Sequence, residues 1–237
     1  HCAITPGTQL MYDIHQKLKE FIKKQKKADS SWSKPRVIYS GVFVPGEGEH
    51  KIINFIRESR SSPDYNPSLV HCIPAGDADL YFLALQTHEA NIVLTVGLDS
   101  SYVRRGAPKY EARGSCISWG EENVGLVYVS LIREYISIDF GVEKGEELEK
   151  TIDDFIALSF LVGNDFIPYI KDVDIKESYD DIIDIYKAMK KKKGHLVDNG
   201  QFNKPILIDF LERVVYLQRL RFKEKMNLNL PIEKVAD

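Results

Sequence analysis

An α/β fold with a parallel sheet, followed by a mainly helical C-terminal part, is predicted by two features of the 237-residue sequence. In the N-terminal half, short runs rich in β-branched and aromatic residues alternate with apolar helical patterns. Beyond about residue 123, apolar residues recur at helical spacing. Alternating strands and helices joined by short turns are accommodated by parallel strands covered on both faces. The expected division is therefore residues 1–122 for the α/β part and 123–237 for the helical continuation.

The elements follow in order. Thr8 is placed to cap a first helix over about Gln9 to Lys24, which ends in the basic stretch KKQKK. DSSWSKP reads as a polar loop, and RVIYSG, Arg36 to Gly41, as a short strand. PGEGEHK then opens a helix running to about Ser59, and SRSSPDYNPS reads as a loop. LVHCIPA, Leu69 to Ala75, is a second strand, GDADL leads into a helix to about Thr87, and NIVLTV, Asn91 to Val96, is a third strand. GLDSSYVRRGAPKYEARGS reads as irregular and basic. After it, Val124, Val127, Tyr128, Leu131, Ile132, Tyr135 and Ile136 fit a helix. Thr151 with Asp154 resembles a capping box before an apolar helix over Ile152 to Val162. The rest is helical to about Lys225, around a polar loop from Gly194 to Asn203.

Hydrophobic residues make up 43% and charged residues 28%, the balance of an ordinary globular protein with a sizeable core. A net charge of −3 excludes a uniformly basic nucleic-acid surface but not a local basic patch. Cys2, Cys72 and Cys116 are far apart, so neither disulfides nor a cysteine zinc site is expected, which fits a reducing compartment. No apolar run is long enough to span a bilayer, and no signal peptide is visible. The start at His1, within HCAITPGT, reads as that of an internal fragment or processed product.

The acidic residues carry the functional signal. Glu47 and Glu49 sit two residues apart after a strand, and Asp77 and Asp79 repeat that spacing after the next strand. Residues i and i+2 share a face in extended chain, and the carboxyl ends of parallel strands open onto the crevice where ligands bind. Asp165, in LVGNDFIP, adds a further acid beside an apolar helix, in a loop bracketed by Gly163 and Pro168. Singly, each has an ordinary explanation, since acids favour helix starts and cap turns. Collected in a crevice, their mutual repulsion calls for a divalent cation, and hard Mg²⁺ takes oxygen ligands. Two such ions about 3.5–4 Å apart serve phosphodiester hydrolysis. The absence of clustered His and Cys disfavours zinc.

The stretches CAITPGTQLM, VIYSGVFVPGEGEHKIINFIR, HCIPAGDADLYFLALQTHE, LIREYISIDF and IDDFIALSFLVGNDFIPYI, together and in this order, resemble the XRN family of 5′→3′ exoribonucleases. The helical tail with LVDNGQFN is similar as well. The resemblance implies a PIN/FEN-like nuclease core, and an acidic centre binding a pair of Mg²⁺ or Mn²⁺ ions through Glu47, Glu49, Asp77, Asp79 and Asp165. It implies further acids and a 5′-phosphate pocket upstream of His1, so the chain alone is expected to be inactive. NIVLTVGLD and AGDAD depart from the family's usual residues near the site but keep the acids. Residues 97–122 carry only Cys116, so the zinc knuckle of many nuclear members is missing, which favours a cytoplasmic over a nuclear enzyme.

The implied reaction is hydrolysis of 5′-monophosphorylated single-stranded RNA to mononucleotides, in mRNA decay. A monomer without membrane association is expected, and protein partners are not legible. The alternatives are a structure-specific 5′ DNA nuclease and a catalytically dead RNA-binding scaffold. Candidate RNA contacts are His50, Lys51 and Arg57, then Arg104 and Arg105 with Lys109 in the irregular segment. An exposed helix face explains Lys51 and Arg57 equally well, and for His50 a helix-surface or hydrogen-bonding role is the first reading. Lys190 to Lys193 reads as a solvated helix end, Trp32 and Trp119 as packing residues, and Asn164 as orienting the Asp165 loop.

Overall fold

A computed structural model describes residues 4–97, 116–119, 122–142, 145–163, 167–170 and 179–226. They fall into two compact units, His1–Pro67 and Ser68–Asp237.

In the first unit, helix α1 (Gln9–Ala28) is capped as predicted, with Thr8 Oγ1 accepting the Met11 N–H at 3.5 Å. It runs past Lys24 and closes with the Asp29 N–H donating to the Gln25 carbonyl at 2.9 Å. The DSSWSKP segment is not wholly a loop. The Asp29 carboxylate accepts from Ser31 N at 2.8 Å and Ser31 Oγ at 2.7 Å, which nucleates the short helix α2 (Ser30–Ser33). Trp32 packs edge-on against Phe21, centroids 5.8 Å apart.

The strand predicted over Arg36 to Gly41 does not form. Its β-branched and aromatic residues suit a strand, but a strand needs a neighbour with free backbone groups, and the unit's other described elements are helices. The segment docks on α1 through side chains instead. Tyr39 stacks on His15 at 5.3 Å, and Phe43 meets the same ring edge-on at 5.1 Å. Helix α3 (Gly48–Arg60) follows and buries Ile53 and Ile56.

The second unit contains the predicted strand–helix–strand element. Strands β1 (His71–Pro74) and β2 (Ile92–Gly97) pair in parallel, His71 opposite Ile92 through Pro74 opposite Thr95, and helix α4 (Asp79–Gln86) connects them. Ile73, Ile92 and Leu94 are buried on the sheet and Leu80, Ala84 and Leu85 on the helix. The sheet as a whole is mixed rather than parallel. Strands β3 (Cys116–Trp119) and β4 (Glu122–Tyr128) form an antiparallel pair, and β4 lies antiparallel to β2, giving the order β1-β2-β4-β3.

Val124, Val127 and Tyr128, predicted to be helical, therefore lie in β4, opposite Gly97, Leu94 and Val93. The helix begins one residue later, α5 (Val129–Phe140), and carries the remainder of that apolar pattern. Helix α6 (Glu146–Ser159), extended by a single 3-10 turn (Phe160–Val162), begins earlier than predicted. Its first turn holds Glu146, Glu147 and Glu149, which suits the helix dipole. Thr151 and Asp154 are thus not a capping box. Thr151 Oγ1 donates to the Glu147 carbonyl at 2.7 Å in mid-helix, and Asp154 is completely buried.

Helices α7 (Tyr179–Lys193) and α8 (Lys204–Lys225) complete the unit. Between them, the predicted loop holds a two-stranded hairpin, β5 (Val197–Asp198) and β6 (Gln201–Phe202). Asn199 and Gly200 turn it with φ of 50° and 73°, as a two-residue Asn-Gly hairpin requires. Leu158, Ile182, Tyr186, Leu196, Phe210 and Val214 form the core there. The lysine run is not uniformly solvated. The Lys190 side chain is largely covered and pairs with the exposed Glu147, and Lys193 meets Asp209 at 3.2 Å, while Lys191 and Lys192 are exposed.

Candidate active site

Glu47 is the N-cap residue of α3, with extended backbone and no side-chain capping bond. Glu49 lies in the first turn, half-buried. The helix dipole favours negative charge at both positions, yet neither carboxylate takes a hydrogen bond or ion pair among the described residues.

Asp77 and Asp79 occupy the turn from the carboxyl end of β1 into α4. Asp77 Oδ1 accepts the Ala78 N–H at 2.6 Å, and Asp79 opens the helix. That is where an α/β unit presents ligand-binding groups. No cation neutralises either aspartate among the described residues. Asp165 and Asn164 lie outside the described residues. Just before them, Gly163 has φ of 84°, and a Cβ there would sit 2.6 Å from Tyr169 N, so only glycine fits.

The structure thus gathers Asp77 and Asp79 in one turn, and Glu47 and Glu49 in another turn of the other unit. Among the described residues, no group of three or more His, Cys, Asp or Glu is arranged to hold a metal ion. The donor chemistry nevertheless fits a hard divalent cation, because these are carboxylate oxygens that no described residue neutralises.

Of the candidate RNA contacts, His50 and Arg57 are exposed on α3. Lys51 is engaged internally, its Nζ donating to the Gly41 carbonyl at 3.3 Å. Arg104, Arg105, Lys109 and the Trp119 side chain lie outside the described residues.

The residues that the sequence did not disclose lie on α6. Asp154 accepts from Val197 N at 2.7 Å and from the Tyr186 hydroxyl, and meets His195 Nδ1 at 2.7 Å. His195 Nε2 faces Glu147 at 3.1 Å, and Glu147 pairs with Lys190 at 2.8 Å. The Lys190 contact chiefly holds the Glu147 carboxyl below the usual range. A second imidazole, His88, lies between Glu149 at 2.7 Å and Asp153 at 3.0 Å, and Arg133 also binds Glu149. Burial opposes ionisation of Glu149, but Arg133 and His88 outweigh it and keep this carboxyl below its ordinary value. The signal for Asp154 was its helical phase, since Glu147, Thr151, Asp154 and Leu158 fall on one face. These α6 acids are matched by basic side chains and build structure, whereas the two turn pairs have no such partner among the described residues.

Two family descriptions match the sequence. Residues 1–95 match the XRN 5′-3′ exonuclease N-terminus, and residues 146–229 match the Xrn1 helical domain. The chain is 35% identical over 231 residues to 5′-3′ exoribonuclease 1 of Homo sapiens, covering 94% of the chain and 13% of that protein. It is 34% identical over 230 residues to 5′-3′ exoribonuclease 1 of Saccharomyces cerevisiae, covering 94% of the chain and 14% of the relative. With 5′-3′ exoribonuclease 2 of Eremothecium gossypii it shares 37% identity over 215 residues, 85% of the chain and 23% of that enzyme. The chain belongs to the XRN family of 5′-3′ exonucleases and corresponds to its N-terminal region. It spans less than a quarter of the length of these relatives.

Proposed function

We propose that this chain is part of a 5′→3′ exoribonuclease that degrades 5′-monophosphorylated single-stranded RNA to mononucleotides, in cytoplasmic RNA turnover. The observation that carries the reading is the Asp77/Asp79 turn. Two carboxylates without a counter-charge among the described residues follow a parallel strand, in a chain similar over 94% of its length to a named 5′-3′ exoribonuclease. The core is read as PIN/FEN-like, with residues 1–122 and 123–237 as the α/β and helical parts of one nuclease region that acts as a monomer.

Glu47, Glu49, Asp77, Asp79 and Asp165 are the proposed ligands of two Mg²⁺ or Mn²⁺ ions. When bound, such ions activate a water for attack on phosphorus and stabilise the departing 3′-oxygen. The protein's part is placement. Glu47 and Glu49 are held by the start of α3, and Asp77 by its bond to the Ala78 N–H. Without cations these carboxylates would repel the phosphate backbone. His50 and Arg57 on exposed α3 are placed to meet that backbone without reading sequence.

The test is substrate choice by the full-length protein in Mg²⁺, with chelator as control. We expect 5′-monophosphorylated linear RNA to be consumed to mononucleotides, 5′-hydroxyl RNA to be spared, and activity to stop with chelator. Preference for flapped DNA over that RNA would overturn the substrate assignment.

A further inference from the structure

We propose that Gly41 is a positioning residue for the Glu47/Glu49 turn. Its missing side chain admits the buried His15 ring, and the backbone fixed by that contact holds the start of α3. The inference rests on the reading of Glu47 and Glu49 as metal-binding carboxylates.

A Cβ at Gly41 would lie 2.2 Å from His15 Nδ1, 2.4 Å from Cε1 and 3.1 Å from Tyr39 Cε1. The ring has nowhere to go. His15 is 6% exposed, stacked on Tyr39, edge-on to Phe43, and its Nδ1 meets the Tyr39 hydroxyl at 3.0 Å. An added methyl therefore displaces the backbone at residue 41 or breaks up the cluster.

The Gly41 carbonyl is the next link. It accepts from Val44 N at 3.0 Å, which closes the turn ahead of Pro45, and from Lys51 Nζ at 3.3 Å. The Lys51 N–H donates to the Glu47 carbonyl at 3.1 Å, within the first turn of α3. Gly41 is thus tied at one end to α1 through His15 and at the other, through Lys51, to the first turn of α3 that carries Glu47. Lys51, a candidate RNA contact on sequence grounds, is a strut in this arrangement. Restoring an ordinary carbon contact of about 3.5 Å needs a shift of more than ~1 Å. Metal–ligand distances in a formed site lie within about 0.2 Å of their standard values. A shift of that size at residue 41, carried through Lys51 to the first turn of α3, is several times larger than that spread.

The test measures Mn²⁺ affinity by calorimetry and the thermal midpoint in the full-length protein. It compares wild type, Gly41→Ala, the double variant His15→Ala/Gly41→Ala, and Glu47→Gln/Glu49→Gln. We expect Gly41→Ala to weaken Mn²⁺ binding about tenfold or more. The double variant, which has room for the methyl, should recover most of that loss. A folded Gly41→Ala protein with wild-type affinity overturns the proposal, and so does a double variant that binds no better than Gly41→Ala. Should Gly41→Ala not fold, the double variant decides, and its failure to fold or to bind overturns the proposal equally. Wild-type affinity in Glu47→Gln/Glu49→Gln would instead remove the underlying assignment of those carboxylates.

Discussion

His195 and Asp154 meet at 2.7 Å, Nδ1 to Oδ2, with the carboxylate completely buried and the imidazole closed on its far side by Glu147. This contact joins the loop after α7 to the middle of α6. It also fixes the hairpin, because the other Asp154 oxygen accepts from Val197 N at 2.7 Å.

Removing the carboxylate strands three groups at once. Asp154→Ala leaves the Tyr186 hydroxyl, the Val197 N–H and His195 without their acceptor. We expect a loss of about 3 kcal/mol or more in urea unfolding, the magnitude typical of breaking a buried charged network. Asp198→Ala, exposed and 3.9 Å from Lys150, should cost about 0.5 kcal/mol or less. Equal losses for the two variants would show that the Asp154 network is not a principal restraint.

The same pair makes stability depend on pH with a definite sign. The hydrogen bond to Asp154 raises the His195 pKa, burial works against it, and Glu147 raises it further, with Lys190 opposing. The folded value therefore lies above the ordinary ~6.5 of the unfolded chain. Between the two values the folded state binds more protons, so stability falls as pH rises. The contribution is fully present below about pH 6.5 and is lost as pH rises through the folded pKa. Tyr186, facing the same carboxylate, has its pKa raised by burial and by Asp154 and stays neutral throughout this window. Unfolding free energies of wild type and His195→Gln, measured on both sides of that window, should differ more at the acidic side. A difference that grows towards alkaline pH would contradict the assignment.

The strand–helix–strand element over residues 71–97 was legible because β-branched runs, a turn signal and an apolar helix succeed one another there without conflict. The start of α3 was legible from its Pro-Gly turn and acidic residues ahead of an apolar helical pattern. Two strand assignments failed in opposite directions. Residues 36–41 look like a strand but find no ladder, while residues 122–128 resemble a helix until β2 claims them as a partner. Pairing is a long-range property that a local period does not carry. Asp154 was read as the partner of Thr151 in a capping box because an acid three residues after a Thr suits one. Its partners, His195 and Val197, are distant in sequence, so its burial was visible only as helical phase. Both acidic pairs were legible as spacings. Their lack of counter-charge among the described residues is a matter of side-chain contacts between distant segments, which spacing does not carry.

On the substrate side, Arg57 is exposed near the C-terminal end of α3. If it meets a phosphate, Arg57→Ala should raise KM for single-stranded RNA a few-fold, about equally for all sequences, with kcat unchanged. The slope of log affinity against log salt should fall by about 0.7 per lost contact. An unchanged salt slope would return Arg57 to the role of a solvated surface residue.

The most direct measurement is the hydrolysis rate of 5′-monophosphorylated RNA by the full-length protein carrying Asp77→Asn/Asp79→Asn, in saturating Mg²⁺. These substitutions preserve shape, retain the side-chain acceptor facing the Ala78 N–H, and remove charge that no cation among the described residues balances. We expect the rate to fall by about a hundredfold or more, with the thermal midpoint nearly unchanged, because charge stabilisation of the reacting phosphoryl group is typically the largest catalytic contribution. A folded double variant that hydrolyses RNA at the wild-type rate would contradict the assignment of this turn as the metal-binding heart of the enzyme.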